Sequence, residues 1–223
     1  MISIKTYIGR LLEYVNGIYR RQIELDRYLL KRENVELTYE YYRGPKNPID
    51  FISKRYVLYP LRAKNKEKAN QINSITYQDL GDLGHFLNPQ KTVITCHDIF
   101  NFTIRNSWKK PYFLQKYSLL GLKKCRYIIS ISEFTKNELI NRYHINKDKI
   151  IVIKNGLNHD MFYTLDEKEM RECEPLYPHH KKIFHLGYGS HRKDIYTLLK
   201  AFYLVRKKGI EAKLIRLVEP FDS

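Results

Sequence analysis

Apolar residues recur at helical spacing through Ile18, Ile23, Leu25, Tyr28, Leu29 and Leu30, with Arg20, Arg21, Glu24 and Asp26 between them. This pattern predicts an early helix after an Asn16-Gly17 turn. Val35 to Tyr41 alternates as a strand does, and Arg43-Gly44-Pro45-Lys46-Asn47-Pro48 ends regular structure. Residues 62–70 are polar and basic and read as an exposed helix or loop. Thr92-Val93-Ile94-Thr95-Cys96 is a short, β-branched, uncharged run of the kind buried in parallel sheets, and it stops at His97-Asp98. Two further runs behave alike: Tyr127-Ile128-Ile129-Ser130-Ile131 stops at Ser132-Glu133, and Ile150-Ile151-Val152-Ile153 stops near Asn155-Gly156.

Ser132 suits the cap of a helix continued by Phe134, Leu139 and Ile140, with Glu133 in its positive first turn. Strands alternating with helices predict an α/β fold with a doubly wound parallel sheet, since parallel strands need crossover connections. Ligands of such sheets bind beyond the carboxyl ends of the strands. His97, Asp98, Ser132, Glu133, Asn155 and Gly156 would then share one rim. Thr164 to Lys182 has no clear apolar period and reads as a linker between a first domain, residues 1–163, and the opening of a second, residues 183–223. That second piece offers a strand at Ile183, a helix from about Asp194 to Lys207 and a strand from Ala212 to Val218. One βαβ piece is too small to bury its own faces.

Within it, the apolar run Ile183, Phe184, Leu186 meets Gly187-Tyr188-Gly189, and Arg192-Lys193 then heads the helix. Strand, glycine turn and cations at a helix start suit a phosphate: the first N–H groups of a helix lack partners, glycine lets an anion approach the backbone, and arginine offers a planar fork. An ordinary tight βα turn with two solvated cations is the open alternative, because Gly187-x-Gly189 lacks the third glycine of the dinucleotide fingerprint.

The chain has 223 residues, and its 43% hydrophobic content is ample for a packed core. Forty Lys and Arg against 24 Asp and Glu give a formal charge of +16, which favours anionic partners: nucleic acid, an anionic membrane surface or a phosphorylated substrate. Cys96, Cys125 and Cys173 lie far apart without zinc or disulfide spacing, and no segment approaches the roughly 18 apolar residues of a membrane span. Both point to a cytoplasmic protein, at most peripheral at the inner face of the membrane. Lys109 to Arg126 mixes cations with Tyr112, Phe113, Leu114, Tyr117, Leu119 and Leu120; it suits a core-facing helix with a basic outer side better than a helix lying on lipid. His179-His180 lacks a third ligand at a recognised spacing, so no metal site is expected.

Taken in order, these pieces resemble the retaining nucleotide-sugar glycosyltransferases of family four, which have two facing Rossmann-like domains, the GT-B fold. The resemblance rests on Asn16-Gly17-Ile18, Val93 to Asp98, Ile129 to Lys136, Lys149 to Leu157, Leu186-Gly187, Arg192-Lys193-Asp194 and Leu198 to Phe202. It implies transfer of a hexose from a UDP- or GDP-linked sugar to a hydroxyl of a glycan or lipid-linked acceptor, with retention and with no metal or other cofactor. Arg192 and Lys193 would hold the donor diphosphate, Gly187 would admit it closely, and Gly17 would border the acceptor and donor phosphates. His97 would face the donor sugar, while Asp98, Ser132, Asn155 and Gly156 would shape the rim. The acidic pair that grips the donor in relatives, two glutamates eight positions apart, has no counterpart after Val218. The second Rossmann-like domain is therefore expected to be incomplete, and two alternatives stay open. One is a non-catalytic or split half that needs a second chain; the other, ranked last for want of any motif, is a basic nucleic-acid-binding module.

Overall fold

The computed structural model describes residues 1–10, 17–44, 47–103, 112–160, 162–172, 179–186 and 194–217, in two units, Met1–Phe162 and Tyr163–Ser223. In the first unit β1 (Ile2–Arg10), β2 (Val35–Tyr42), β3 (Gln71–Ile75), β4 (Thr92–Cys96), β5 (Tyr127–Ser130) and β6 (Ile150–Val152) pair in parallel, in the order β2-β1-β3-β4-β5-β6. Its helices are α1 (Gly17–Leu30), α2 (Pro48–Ile52), α3 (Tyr59–Asn65), α4 (Phe100–Thr103), α5 (Tyr112–Lys124) and α6 (Glu133–Tyr143). A π-helical turn, Ser53–Leu58, joins α2 to α3, and a 3₁₀ segment, Gln78–His85, follows β3. The strand order reverses between β1 and β3, and the carboxyl ends flanking such a reversal form the usual ligand crevice of an open α/β sheet.

β1 and β3 sit mid-sheet, yet the apolar pattern does not announce them. Tyr7 and Ile75 join the apolar core, but other interior positions of these strands are polar and hydrogen-bonded. Asn73, fully buried, donates to Glu67 Oε1 at 2.7 Å and Thr92 Oγ1 at 3.3 Å and accepts from Tyr7 Oη at 3.2 Å. Gln71 donates to Ser3 Oγ and Thr38 Oγ1 at 3.0 and 3.2 Å. Lys5, 7% exposed, donates to the Lys66 carbonyl at 3.2 Å and lies 3.9 Å from Glu40. Near its carboxyl end β1 slips register against β2 between Tyr7 and Gly9. Gly9 takes φ +86°, and a Cβ there would stand 2.8 Å from Tyr77 Oη, so both conformation and space require glycine.

The 3₁₀ segment packs on α5 backbone to backbone. A Cβ on Gly84 would stand 2.1 Å from the Gly121 carbonyl oxygen, and one on Gly81 2.3 Å from that of Ser118. α5 buries Leu114, Gln115, Ser118, Gly121 and Leu122, and leaves Phe113 and Leu120 exposed. Because both obstacles are carbonyls of packed helices, Gly84→Ala is expected to destabilise the first unit by about 3 kcal/mol. A urea titration should show a lowered midpoint at unchanged slope; an unchanged midpoint would mean that the two segments separate freely.

The second unit contains α7 (Glu167–Glu172), β7 (Lys181–Leu186), α8 (Ile195–Lys207) and β8 (Ala212–Leu217), with β7 and β8 paired in parallel. The stretch expected to be linker thus carries a helix. Its start is a capping box: Asp166 Oδ1 accepts from the Glu169 amide at 2.8 Å, and Glu169 Oε2 accepts from the Asp166 amide at 2.9 Å. On β7, Phe184 and Leu186 are 59% and 66% exposed.

Candidate functional site

His97 follows the carboxyl end of β4, next to the crevice between β1 and β3. Its amide donates to Gln78 Oε1 at 3.0 Å, and its ring Nε2 lies 3.2 Å from the Thr76 carbonyl oxygen at the end of β3. A carbonyl only accepts, so Nε2 carries the proton and Nδ1 of the neutral ring is an acceptor. Burial pushes the His97 pKa below its ordinary 6.5; the Thr76 hydrogen bond works the other way, and the nearby Arg21 charge adds to the lowering.

Arg21, half-buried on α1, donates from Nε to Asn155 Oδ1 at 2.9 Å, tying the first helix to the loop after β6. Gly17, Asn155 and Gly156 come together in one cavity of about 370 Å³, walled also by Arg20, Arg21, Lys154, Leu157 and Phe162. Neither Gly17 nor Gly156 has a neighbour within 4 Å of where a Cβ would stand, so a side chain there would project into open space. Arg20, Arg21 and Lys154 face a single wall carboxylate, Glu24, and this balance suits an anionic guest.

Asp98 and Ser132 serve their own backbone. Asp98 Oδ1 accepts from the Phe100 amide at 3.1 Å and from Gln78 Nε2 at 3.4 Å. Ser132 Oγ accepts from the Thr135 amide at 3.1 Å and caps α6. Gly187, Arg192 and Lys193 lie outside the described residues. Just after them Asp194, in the left-handed conformation at φ 42°, accepts from the Thr197 amide at 3.2 Å and starts α8. Cys96 is buried, and burial together with the Asp98 charge pushes its thiol pKa up, so the thiol is held in its protonated form. Among the described residues no cluster of three or more His, Cys, Asp or Glu could hold a metal ion.

Two contributors escaped the sequence analysis as site residues. Arg21 reads there only as a polar position of an amphipathic helix. Gln78, 4% exposed, bridges His97 and Asp98 from a segment with no recognisable motif.

A family model described as Glycosyltransferase Family 4 matches residues 13–161, a stretch that holds α1 to α6 and β2 to β6. The O-antigen chain mannosyltransferase RfbU of Salmonella typhimurium is 29% identical over 76 residues, covering 34% of this chain and 22% of its own length. Among solved structures, the Anabaena protein Alr3699/HepE in complex with UDP superposes with a TM-score of 0.60 at 11% identity, over 97% of this chain and 69% of that one. Its complex with UDP-glucose gives 0.57 at 10% identity, over 98% and 70%. A glycosyltransferase from Rickettsia africae gives 0.54 at 16% identity, over 98% and 69%. The fold is GT-B. With the family match spanning most of the chain and the whole strand-end rim, the chain belongs to glycosyltransferase family 4.

Proposed function

We propose that the protein transfers a hexose from a UDP- or GDP-linked sugar to a hydroxyl of a glycan or lipid-linked glycan, with retention at the anomeric carbon. The observation that carries this is the family match over residues 13–161, which covers His97 and the cavity beside Gly17. Alr3699/HepE was solved with UDP and with UDP-glucose, and RfbU is named a mannosyltransferase; these support a nucleotide-linked hexose as donor.

In this scheme residues 1–163 form the acceptor-side domain and residues 183–223 open the donor-side domain, with 164–182 between them. Arg192 and Lys193 hold the diphosphate and stabilise the negative charge that grows on it as the anomeric C–O bond breaks, an electrostatic task that cations at a helix start perform well. Gly187 and Gly17 leave room for the phosphates. The cavity at Gly17, Arg21, Asn155 and Gly156 receives the acceptor. His97, neutral and fixed by Thr76, accepts a hydrogen bond from a donor-sugar hydroxyl through Nδ1.

Calorimetric titration with UDP-glucose and with GDP-mannose tests the donor site. One of the two is expected to bind, and Arg192→Ala to weaken it about 10- to 100-fold, the worth of a lost charge-assisted hydrogen bond. Equal affinity of variant and wild type would remove Arg192 from the site.

A further inference from the structure

We propose that Arg10, the last residue of β1, recognises an anionic group, a carboxylate or a phosphate, on the acceptor, an inference that rests on the transfer reading above. β1 ends in the crevice where the strand order reverses, so its last side chain stands where an open α/β sheet receives its ligands. Tyr19 Oη, on α1, donates to the Arg10 carbonyl, which sets Arg10 beside the helix turn between Gly17 and Arg21 that walls the acceptor cavity. Tyr7 pairs with Ile75 and Ile75 with Ile94, so β1 and β4 are two strand spacings, about 10 Å, apart. Arg10 thus meets a part of the acceptor away from the hydroxyl that reacts near His97.

The posture of the side chain separates Arg10 from an ordinary surface cation. Its guanidinium lies across Gly44, where a Cβ would stand 2.7 Å from Nε and 2.9 Å from Nη2, so glycine at that position makes room for it. Arg20, Arg27, Arg55, Arg62 and Arg142 of the same unit each hold a carboxylate, whereas among the described residues Arg10 is in no ion pair. Its partner in register on β2 is Tyr42, 8% exposed; burial pushes the Tyr42 pKa up, and the Arg55 and Arg10 charges pull it down. An exposed guanidinium that packing holds in place, with no carboxylate of the described chain on it, offers a planar fork to two oxygens of a carboxylate or phosphate. Little side-chain freedom is then lost on binding.

Calorimetry and the Arg10 Nε–Hε signal in NMR spectra test it, with glucose, glucuronate and glucose 6-phosphate as probes at constant ionic strength. At least one charged sugar should bind about tenfold or more tightly than glucose and shift the Arg10 signal; which of them does so tells a carboxylate acceptor from a phosphorylated one. Arg10→Gln should abolish that preference, and Arg10→Lys should keep only part of it, because an ammonium lacks the fork. Gly44→Ala keeps every charge but displaces the guanidinium, and should weaken the charged sugar as well. Circular dichroism should show all variants folded, and UDP-glucose or GDP-mannose should bind Arg10→Gln as it binds the wild type. Charged sugars that bind no better than glucose, a preference that survives Arg10→Gln, or a donor weakened by Arg10→Gln as much as the charged sugar would each overturn the proposal. Failure of both donors to bind the wild type would instead remove the transfer reading, and the charged-sugar arms would still decide whether Arg10 holds an anion.

Discussion

Asp82→Ala is expected to remove about 3–5 kcal/mol of stability, a large share of what a domain of this size holds in reserve. The Asp82 side chain is wholly buried and grips Arg55 through two hydrogen bonds, at 2.6 and 2.7 Å, while the Asp79 carbonyl accepts a third at 2.8 Å. Burial alone would lower the Arg55 pKa, but the Asp82 charge and its hydrogen bonds override it and hold the guanidinium charged. Truncating the acid leaves that charge in a dry pocket with the Asp79 carbonyl and the Tyr56 and Tyr59 rings, centred 4.7 and 6.0 Å away, as its remaining partners. The pair itself is worth far less than its breakage costs. Removing both charges in an Arg55→Met, Asp82→Leu double variant should therefore recover most of the loss, and urea unfolding of the four species closes the cycle. Equal losses in the single and double variants would mean that packing rather than charge decides. The pair also fastens the π-helical turn to the 3₁₀ segment that begins at Gln78, so a partial loss of grip should reach His97 through the Gln78 side chain.

Three of the six strands of the first unit's sheet were legible because they are conventional. β4, β5 and β6 are β-branched runs ending in polar residues, and those endings fall on the rim. Val35 to Tyr41 was legible by alternation, although β2 continues to Tyr42. β1 and β3 were not, because Lys5, Gln71 and Asn73 occupy interior positions where a pattern argument looks for aliphatics. What makes those positions tolerable is long-range: Asn73 finds Glu67, Thr92 and Tyr7 only after the sheet has formed. The 3₁₀ segment escaped for another reason, since glycines that permit backbone contact with α5 look like loop residues in sequence. At the site, His97 and Asn155-Gly156 stood out by their place after strands. Arg21 did not, since only folding brings its guanidinium to Asn155, 134 positions away.

Replacing His97 by Ala is expected to reduce turnover about 100- to 1,000-fold while donor affinity changes by less than about tenfold, the pattern of a group whose hydrogen bond matters most in the transition state. His97→Asn should recover part of the loss, because an amide can donate to the Thr76 carbonyl and still present an acceptor. The pH profile separates this role from a structural one. With its pKa held below 6.5, His97 stays neutral at pH values where a free imidazole is already taking up a proton, so the acidic limb of kcat should lie below 6.5. Stability carries the same sign: the unfolded chain binds this proton first, so the His97 contribution is fully present above 6.5 and is lost as pH falls. Arg21→Gln removes a positive charge that pushes the His97 pKa down, and should move both the acidic limb and the imidazole titration seen by NMR to higher pH. An acidic limb that stays fixed in Arg21→Gln while the NMR titration moves would assign the kinetic pKa to another group, and His97 would then be a structural histidine at the end of its strand.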